Sequence, residues 1–261
     1  MELRKQKVTR YAAPLREGGS LPALADADDG FSYVVKFRGA GHGAKALVAE
    51  LIGGEVARAF GFRVPELVLL DVGEEFGRSE SDAEIQDLLK ASRGLNLGLH
   101  FLRGSFTVDP YVNGIDELTA SKIVWLDAFL TNVDRTTLNT NMLMWNGELW
   151  LIDHGASLYF HHSWSRLDEA PLTPFAFIKD HALLSRATRL EEADKWMRQR
   201  ITPRTLEKIV DLVPDEWLPY EGSDMTPDEI RGGYKRFLTE RLKHSDIFVN
   251  EAIRAHKSLK S

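Results

Sequence analysis

The feature that most constrains this chain is an Asn-Gly pair between two short apolar runs, at residues 146–147. The runs are Met142 to Trp145 (MLMW) and Leu149 to Ile152 (LWLI). Asn-Gly favours the tight turn of a two-residue β-hairpin. A polar loop, residues 132–141 (NVDRTTLNTN), precedes the first run, and Asp153 follows the second. The pattern therefore predicts a hairpin whose two ends bring polar side chains together.

The polar side chains at the ends of this hairpin are those that phosphoryl transfer from ATP requires. A carboxylate such as that of Asp134 can position an acceptor hydroxyl and take its proton. An amide oxygen and a second carboxylate, that of Asp153, can hold Mg²⁺ against the phosphates. Asn139 and Asn141 are both candidates for the amide. Each residue alone is an ordinary loop residue, but apolar strands, a strong turn and polar flanks together predict a catalytic centre.

The rest of the chain shows two different kinds of pattern. Strands are predicted at 7–12, 21–25, 31–37, 64–72 and 97–102, with helices at 44–60 and 82–92. A helix at 119–131 leads into the polar loop, and further helices are predicted near 190–200, 205–212, 226–244 and 246–257. The expected organisation is α+β, with a strand-rich N-terminal part and a mostly helical C-terminal part that meet near residues 103–113.

Lys36 lies inside the most strand-like run, residues 31–37 (FSYVVKF). A lysine there either faces solvent or binds the phosphates of a nucleotide, and the other motifs favour the second role. A glutamate of helix 44–60 would orient it. Glu50 is predicted for this role because it lies near the apolar side of the helix, and Glu55 is expected to be a solvated surface charge.

Two glycine-bearing segments are candidates for phosphate contacts. Gly18, Gly19 and Ser20 lie between the first two predicted strands, where backbone N–H groups and the hydroxyl could cover a nucleotide. Residues 39–43 (GAGHG) precede a helix, whose N-terminus favours anions. Neither segment has the Gly-Lys-Ser/Thr ending of a Walker A sequence. Either one can also be an ordinary turn.

Composition limits the other kinds of site. The chain has no cysteine, which excludes disulfides, thiolate metal sites and a cysteine nucleophile. A net charge of −6 argues against a broad surface for nucleic acid or membrane. Residues 1–7 lack the apolar core of a signal peptide. The apolar stretch at 123–133 is too short to span a membrane and contains Asp127. We therefore expect a cytoplasmic protein.

Three segments resemble the motifs of the HipA-like kinase family, a branch of the protein-kinase-like superfamily. They are YVVKFRGAG at 33–41, NVDRTTLNTN at 132–141 and LWLIDHGASLYF at 149–160. The resemblance covers residues 15–165 well and is closest to the stand-alone bacterial members. It implies a bilobal protein-kinase-like fold with a catalytic β-hairpin. The N-lobe would be residues 1–105, which bind the nucleotide, and the C-lobe residues 106–261.

The same resemblance implies roles for further residues. ATP and Mg²⁺ would be the cofactors, and adenine would bind to the backbone at Phe101, Leu102 and Arg103. The protein-kinase pattern places the metal-binding asparagine five residues after the aspartate, which selects Asn139. It also places that asparagine immediately before the strand, which selects Asn141, the choice we favour.

Two neighbours of the predicted catalytic aspartates have roles that remain open. Arg135 would either bind a phosphate or pair with an acidic residue, and we favour the pair. His154 stands where protein kinases have phenylalanine. It could pack in the core, form a core hydrogen bond, which is the role we favour, or carry a proton.

The expected activity is transfer of the γ-phosphoryl group of ATP to a hydroxyl group, with a protein serine or threonine favoured as acceptor. Two alternatives remain from the sequence: a kinase for a small molecule or lipid, and a non-catalytic nucleotide-binding regulatory module. Retention of Lys36, Asp134 and Asp153 argues against the second alternative. The identity of the acceptor, the need for autophosphorylation, a toxin–antitoxin partner and the oligomeric state do not follow from the sequence.

Overall fold

The computed structural model describes residues 2–15, 21–41, 43–74, 82–110, 114–218 and 224–259. Within these ranges the chain forms eight β-strands, β1 (Lys5–Pro14), β2 (Ala23–Ala27), β3 (Ser32–Lys36), β4 (Leu67–Val72), β5 (Gly94–His100), β6 (Phe106–Thr107), β7 (Met142–Trp145) and β8 (Glu148–Leu151). In the same ranges lie seven α-helices, α1 (Ala44–Ala59), α2 (Ala83–Ala91), α3 (Glu117–Leu130), α4 (Leu190–Arg198), α5 (Pro203–Val210), α6 (Pro227–Lys243) and α7 (Ser245–Ser258). The α+β class predicted from the sequence is confirmed.

The first five strands close into a small barrel in the order β1-β2-β3-β5-β4. All neighbouring pairs are antiparallel except β1 and β4, which close the barrel in parallel from Lys5 opposite Leu69. A Cβ on Gly98 in β5 would lie 2.5 Å from Leu70 on the neighbouring strand. Glycine is therefore needed where these two strands pack most closely.

The alternation of side chains along β3 decides which of them can reach a ligand. Tyr33 and Val35 are completely buried and belong to the core of the barrel. Successive side chains of a strand point to opposite faces. Val34 and Lys36 therefore lie on the other face, and both line a cleft outside the barrel. The period of two in FSYVVKF is thus the reason that Lys36 leaves the barrel core.

The predicted hairpin is present as β7 and β8, which pair from Met142 opposite Leu151 to Trp145 opposite Glu148. The turn residues Asn146 and Gly147 have φ of 50° and 77°. Two successive positive φ values are those of a type I′ turn, which matches the twist of a hairpin. β6 adds a third strand to this sheet beside β7.

Helix α3 lies at the centre of the large hydrophobic core. Its residues from Ile123 to Leu130 are all buried, as expected for a helix that is apolar on all sides. Trp125 packs against Phe60, Phe129 and Phe248, with ring centroids 5.2–5.3 Å apart. These contacts join α3 to the C-terminal end of α1 and to α7. The polar loop that follows α3 therefore starts from a fixed point.

The predicted elements are all found, and the differences lie at their ends. β5 ends at His100 instead of continuing to Leu102, and β4 begins at Leu67 instead of Val64. Four of the predicted C-terminal helices correspond to α4 to α7 within a few residues. Short 3₁₀ turns between Tyr159 and Arg186 were not predicted. None of the helices in the described ranges has the length and apolar character to cross a membrane.

Two adjacent glycines in α6 provide a test of this packing. A Cβ on Gly233 would lie 2.5 Å from Cζ3 of Trp164, whereas a Cβ on Gly232 would meet nothing within 4 Å. We expect Gly233→Ala to lower the free energy of unfolding by about 1–3 kcal/mol because the Trp164 ring must shift. Gly232→Ala should raise it by up to about 1 kcal/mol because alanine favours the helix. Urea unfolding measures both, and equal effects would contradict the packing.

Candidate active site

Lys36 pairs with two carboxylates that come from distant parts of the chain. Its Nζ atom lies 2.6 Å from Oε2 of Glu50 and 2.5 Å from Oδ1 of Asp153. Lys36 ends β3, Glu50 lies in α1 and Asp153 follows β8. Glu50 is thus the glutamate of α1 that contacts Lys36. Glu55 is also buried and pairs with Arg58 at 3.2 Å, so the expectation of a solvated Glu55 is wrong.

Ion pairing keeps Lys36 and Asp153 charged although burial favours their neutral forms. Burial lowers the pKa of Lys36. The charges of Glu50 and Asp153 raise it by more than burial lowers it, so the net shift is upward. Burial raises the pKa of Asp153, but the charge and hydrogen bond of Lys36 lower it overall. The pKa of Glu50 stays raised, mainly because of its burial. Lys36 is therefore a stable cation, the state in which it attracts phosphate oxygens.

Small residues allow α1 to approach the segment that follows Asp153. A Cβ on Gly53 would lie 2.6 Å from Cβ of His154, and one on Gly155 would lie 3.4 Å from Oε2 of Glu50. Any side chain at Gly53 would push His154 away. The close contact between α1 and this segment places Glu50 within reach of the lysine that also meets Asp153.

His154 is completely buried, and neither ring nitrogen has a hydrogen-bond partner among the described residues. Burial lowers its pKa to about 3. The imidazole is therefore neutral at physiological pH and packs against α1. The favoured role of a hydrogen-bonded core histidine is not supported by this geometry, which corresponds to simple packing.

Two asparagine amides hold the carboxylate of Asp134. Nδ2 of Asn139 and Nδ2 of Asn141 lie 2.7 Å and 3.1 Å from Oδ2 of Asp134. An ionised carboxylate only accepts hydrogen bonds, so the amide nitrogens must face it and the amide oxygens remain for other partners. Burial raises the pKa of Asp134, the amide of Asn141 opposes this, and the charge of Asp153 adds to it. A raised pKa suits a carboxylate that accepts a proton during a reaction.

The two ends of the hairpin, Asn141 and Asp153, are joined by their backbones. The N–H of Ile152 donates to the carbonyl of Asn141 at 3.0 Å. The guanidinium of Arg135 donates to the same carbonyl and lies 3.4 Å from that of Ile152. Asn141 and Asp153 have φ of 48° and 54°, and asparagine and aspartate adopt this region more readily than other non-glycine residues. The hairpin thus brings residues from its two flanks to one place.

Asp127 is a buried residue of this site that the sequence analysis did not select. Its Oδ2 accepts hydrogen bonds from Nε of Arg135 at 2.6 Å and Nε2 of His181 at 2.9 Å. Its Oδ1 accepts from Nδ2 of Asn132 at 2.9 Å. Burial raises the pKa of Asp127, but the charge of Arg135 outweighs it and the pKa lies well below its ordinary range. Arg135 therefore has the paired, structural position that we favoured over phosphate binding.

The signal that could have identified Asp127 is its position in an apolar helix. A charged residue among buried apolar neighbours is stable only when it is paired, so it predicts a buried partner. His181, which has no such pattern around it, could not have been found in this way. The N–H of Leu183 donates to Nδ1 of His181 at 3.0 Å, so the Nε2 atom carries the proton that faces Asp127.

A cleft of about 670 Å³ opens beside Lys36 and Asp153. Its barrel side includes Val34 and Leu99, and its hairpin side includes Met142 and Ile152. Asn139 and Asn141 also line it. The cleft therefore combines apolar walls with a cation and oxygen-bearing side chains at one end, which is the usual lining of a small-molecule site.

The predicted adenine-binding segment lies only partly in this cleft. Phe101 and Leu102 line it. The carbonyl of Arg103 instead accepts a hydrogen bond from the indole of Trp145 at 3.0 Å. The other predicted nucleotide contacts, Gly18, Gly19 and Ser20, lie outside the described residues.

The side chains at the hairpin ends fit a magnesium ion. Carboxylate and amide oxygens are the ligands that Mg²⁺ accepts, and it usually takes one or two protein carboxylates together with substrate phosphates. Asp153 would supply the carboxylate, and Asn141 or Asn139 would supply the amide oxygen. Across the described ranges, no group of three or more histidine, cysteine, aspartate or glutamate residues could hold a metal.

Comparison with known proteins identified a family and several related solved structures. The family model of the HipA-like kinases matches residues 8–245. The fold is similar to the crystal structure of CtkA, a proinflammatory kinase of Helicobacter pylori, with a TM-score of 0.58. The two chains are 15% identical over 95% of this chain and 98% of CtkA. At that identity the likeness shows the fold alone. No curated protein has a significantly similar sequence.

The buried pair of Asp127 and Arg135 predicts a pH dependence of stability. Because the folded pKa of Asp127 lies below its unfolded value of 3.8, its contribution is complete above that value and is lost as the pH falls through the folded pKa. Asp127→Asn should lower the free energy of unfolding at pH 7 by about 3–5 kcal/mol because it leaves Arg135 buried without a counter-charge. The difference from the parent should shrink below about pH 4.

Urea unfolding between pH 7 and pH 3 measures this difference. The matched control is Asp168→Asn, which removes a carboxylate that is 85% exposed and should change stability little at any pH. A cost for Asp127→Asn that remained constant down to pH 3 would contradict the pairing.

Proposed function

We propose that this chain, which belongs to the HipA-like kinase family, transfers the γ-phosphoryl group of ATP to the hydroxyl group of a protein serine or threonine. The observation that carries this proposal is the contact of Lys36 with Asp153 at 2.5 Å, beside Asp134 with its two asparagines. A phosphate-binding lysine, a metal-binding carboxylate and a second carboxylate for the acceptor hydroxyl are the groups that protein kinases use.

On the nucleotide side, Lys36 binds the α- and β-phosphates and Glu50 holds its ammonium group from the buried side. The adenine lies between the apolar residues of the cleft. In the turn after β5, hydrogen bonds already use the N–H of Phe101 and the carbonyls of Leu102 and Arg103. We therefore assign the N–H of Leu102 to the adenine.

Asp153 and Asn141 hold Mg²⁺ in this proposal. When bound, the ion neutralises the negative charge of the phosphates. Asn141 is preferred to Asn139 because it is buried and its carbonyl is bonded to Ile152, directly before Asp153. Both amides donate to Asp134, and we assign the exposed Asn139 only the task of orienting that carboxylate.

Asp134 acts on the acceptor. Its carboxylate accepts a hydrogen bond from the acceptor hydroxyl and takes the proton as the phosphoryl group is transferred. The amides of Asn139 and Asn141 prevent the carboxylate from rotating away, and Asp153 nearby raises its pKa. Because no covalent enzyme intermediate is needed, this mechanism depends on position and charge alone.

The same proposal assigns a task to each part of the fold. Residues 1–105, with the barrel and α1, form an N-lobe that binds the nucleotide. Residues 106–261, with the hairpin as the catalytic element and the helices as its support, form a C-lobe that carries Asp134 and Asp153. In the cleft between the barrel strands and the hairpin, the two lobes would act on one ATP molecule.

The direct test uses ATP labelled on the γ-phosphate. The protein is incubated with Mg²⁺ and labelled ATP, alone and with a cell extract, and protein-bound label is measured. Asp134→Ala should lower the rate by about 10²–10⁴-fold because the acceptor loses its base, and Asp153→Ala should also abolish labelling. Asp168→Ala, an exposed control, should behave like the parent.

The possible outcomes separate the alternatives. Label on protein that is lost in both aspartate variants supports the proposal. Label only in small molecules or lipids would support a kinase of that class instead. ATP binding, measured by calorimetry, without transfer to any acceptor would leave a nucleotide-binding module and overturn the catalytic role.

The choice of asparagine gives a second prediction. We expect Asn141→Ala to raise the Mg²⁺ concentration needed for half-maximal activity by at least about tenfold, because a metal ligand is lost. Asn139→Ala should lower kcat with an unchanged Mg²⁺ requirement, because it loosens only Asp134. Mg²⁺ titrations of the parent and both variants measure this, and the reverse pattern would assign the metal to Asn139.

A further inference from the structure

A second cavity, of about 440 Å³, shares no lining residue with the cleft beside Lys36 and Asp153. Most of its lining is apolar. The apolar lining includes Val133, Phe160, Phe175, Ala176, Phe177 and Phe237. Two polar lining residues are already engaged: the hydroxyl of Thr131 accepts from the N–H of Tyr159 at 3.1 Å, and that of Thr173 donates to Ala170 at 2.9 Å. The cavity therefore favours an apolar group.

The cavity adjoins the loop that carries Asp134, the residue proposed to act on the acceptor hydroxyl. Val133 lines the cavity and directly precedes Asp134, so their Cα atoms are about 3.8 Å apart. A cavity of 440 Å³ is roughly 9 Å across if spherical, a distance that about three extended residues span. A side chain in the cavity can therefore belong to the same segment as a hydroxyl at Asp134.

The rim of the cavity exposes large apolar side chains. Tyr159 and Phe177 both line it and are 57% and 58% exposed. Leu138, in the loop between Asp134 and Asn139, does not line the cavity but is 98% exposed. Exposed apolar groups around a concave site are typical of surfaces that bind another protein. They are unexpected in a site for a small polar molecule.

Backbone strain is concentrated around the same cavity. Leu158 and Phe175 have φ of 58° and 60°, a left-handed conformation that is costly for large side chains. They directly precede Tyr159 and Ala176, which line the cavity. Such strain persists only where the surrounding structure imposes it, and it is frequent at ligand-binding sites.

The charges at the rim indicate the class of ligand. Arg166 and Glu169 line the cavity and lie 3.4 Å from each other, so the cation is balanced. A surface for anionic lipid would need several unbalanced cations. An apolar pocket with a mixed polar rim is instead the arrangement of a protein-binding site.

We propose that this cavity receives a large apolar side chain of the protein acceptor, within about three residues of the serine or threonine that is phosphorylated. This inference rests on the proposed kinase function and specifies its substrate. Asp134 acts on the hydroxyl, and the cavity fixes which hydroxyl of the acceptor reaches it.

The test uses synthetic peptides with one serine in a polar sequence. One set carries a single phenylalanine or leucine at each position from three residues before the serine to three after it, and the control peptide has none. Transfer from labelled ATP gives kcat/KM, and fluorescence polarisation without ATP gives Kd. We expect one or two positions to improve kcat/KM and Kd by about 10- to 100-fold, the range for one well-buried apolar group.

Two variants connect the effect to the cavity. Ala176→Trp should fill the cavity, and Phe177→Ala should remove part of its wall. Because both residues are exposed, the fold should tolerate these changes. Each should remove most of the preference for the apolar peptide. ATP hydrolysis without peptide should be unchanged. The matched control is Ala83→Trp, at an exposed position of α2 outside the cavity lining, and it should retain the preference.

The outcomes distinguish this inference from the proposed function. Equal transfer to all peptides would overturn the cavity assignment and leave the kinase function intact. Preferred transfer to a lipid vesicle would overturn the assignment to a protein. If nothing is phosphorylated, the kinase function fails, and the polarisation measurement still decides whether the cavity binds apolar peptide side chains. Equal binding of all peptides would then overturn the cavity assignment as well.

Discussion

The salt bridge from Lys36 to Asp153, 2.5 Å long, is the interaction on which the candidate site depends. It connects the barrel to the hairpin across 117 residues. Burial opposes both charges, and each charge is favoured by its partner. Glu50 supplies the second carboxylate that keeps Lys36 cationic, and it can do so only because Gly53 lets α1 pack against His154. The spacing of two elements therefore sets the charge state of the site.

The polar loop at residues 132–141, which carries Asp134, is also held by a buried ion pair. Asp127 accepts hydrogen bonds from Arg135, Asn132 and His181, and Arg135 continues to the carbonyl of Asn141. A buried charge with its full set of partners resists displacement, because losing any one of them leaves another unpaired. The loop that carries Asp134 is thus anchored to Asp127 in α3 through Asn132 and Arg135.

The sequence was sufficient to predict the residues of this site that depend on local pattern. The Asn146-Gly147 turn fixes the hairpin, and the hairpin fixes where Asp153 lies relative to Asn141. The period of two in β3 places Lys36 outside the barrel. What could not be predicted depends on contacts between distant residues. Pairing of Asp127 with His181 requires the path of the 3₁₀ turns, and burial of Glu55 requires knowing which face of α1 meets its neighbours.

Arg241 connects the end of α3 to the segment at residues 171–173. This buried guanidinium donates to the carbonyls of Ala128 and Phe129, at the end of α3, and to those of Pro171 and Thr173, beside the apolar cavity. No carboxylate is among these partners. Burial lowers its pKa to about 9, and the negative end of the helix dipole favours the cation. A shift of the 171–173 segment would therefore disturb the end of α3, from which the loop with Asp134 begins. In the proposed mechanism, Arg241 therefore links the acceptor cavity to the loop that carries Asp134.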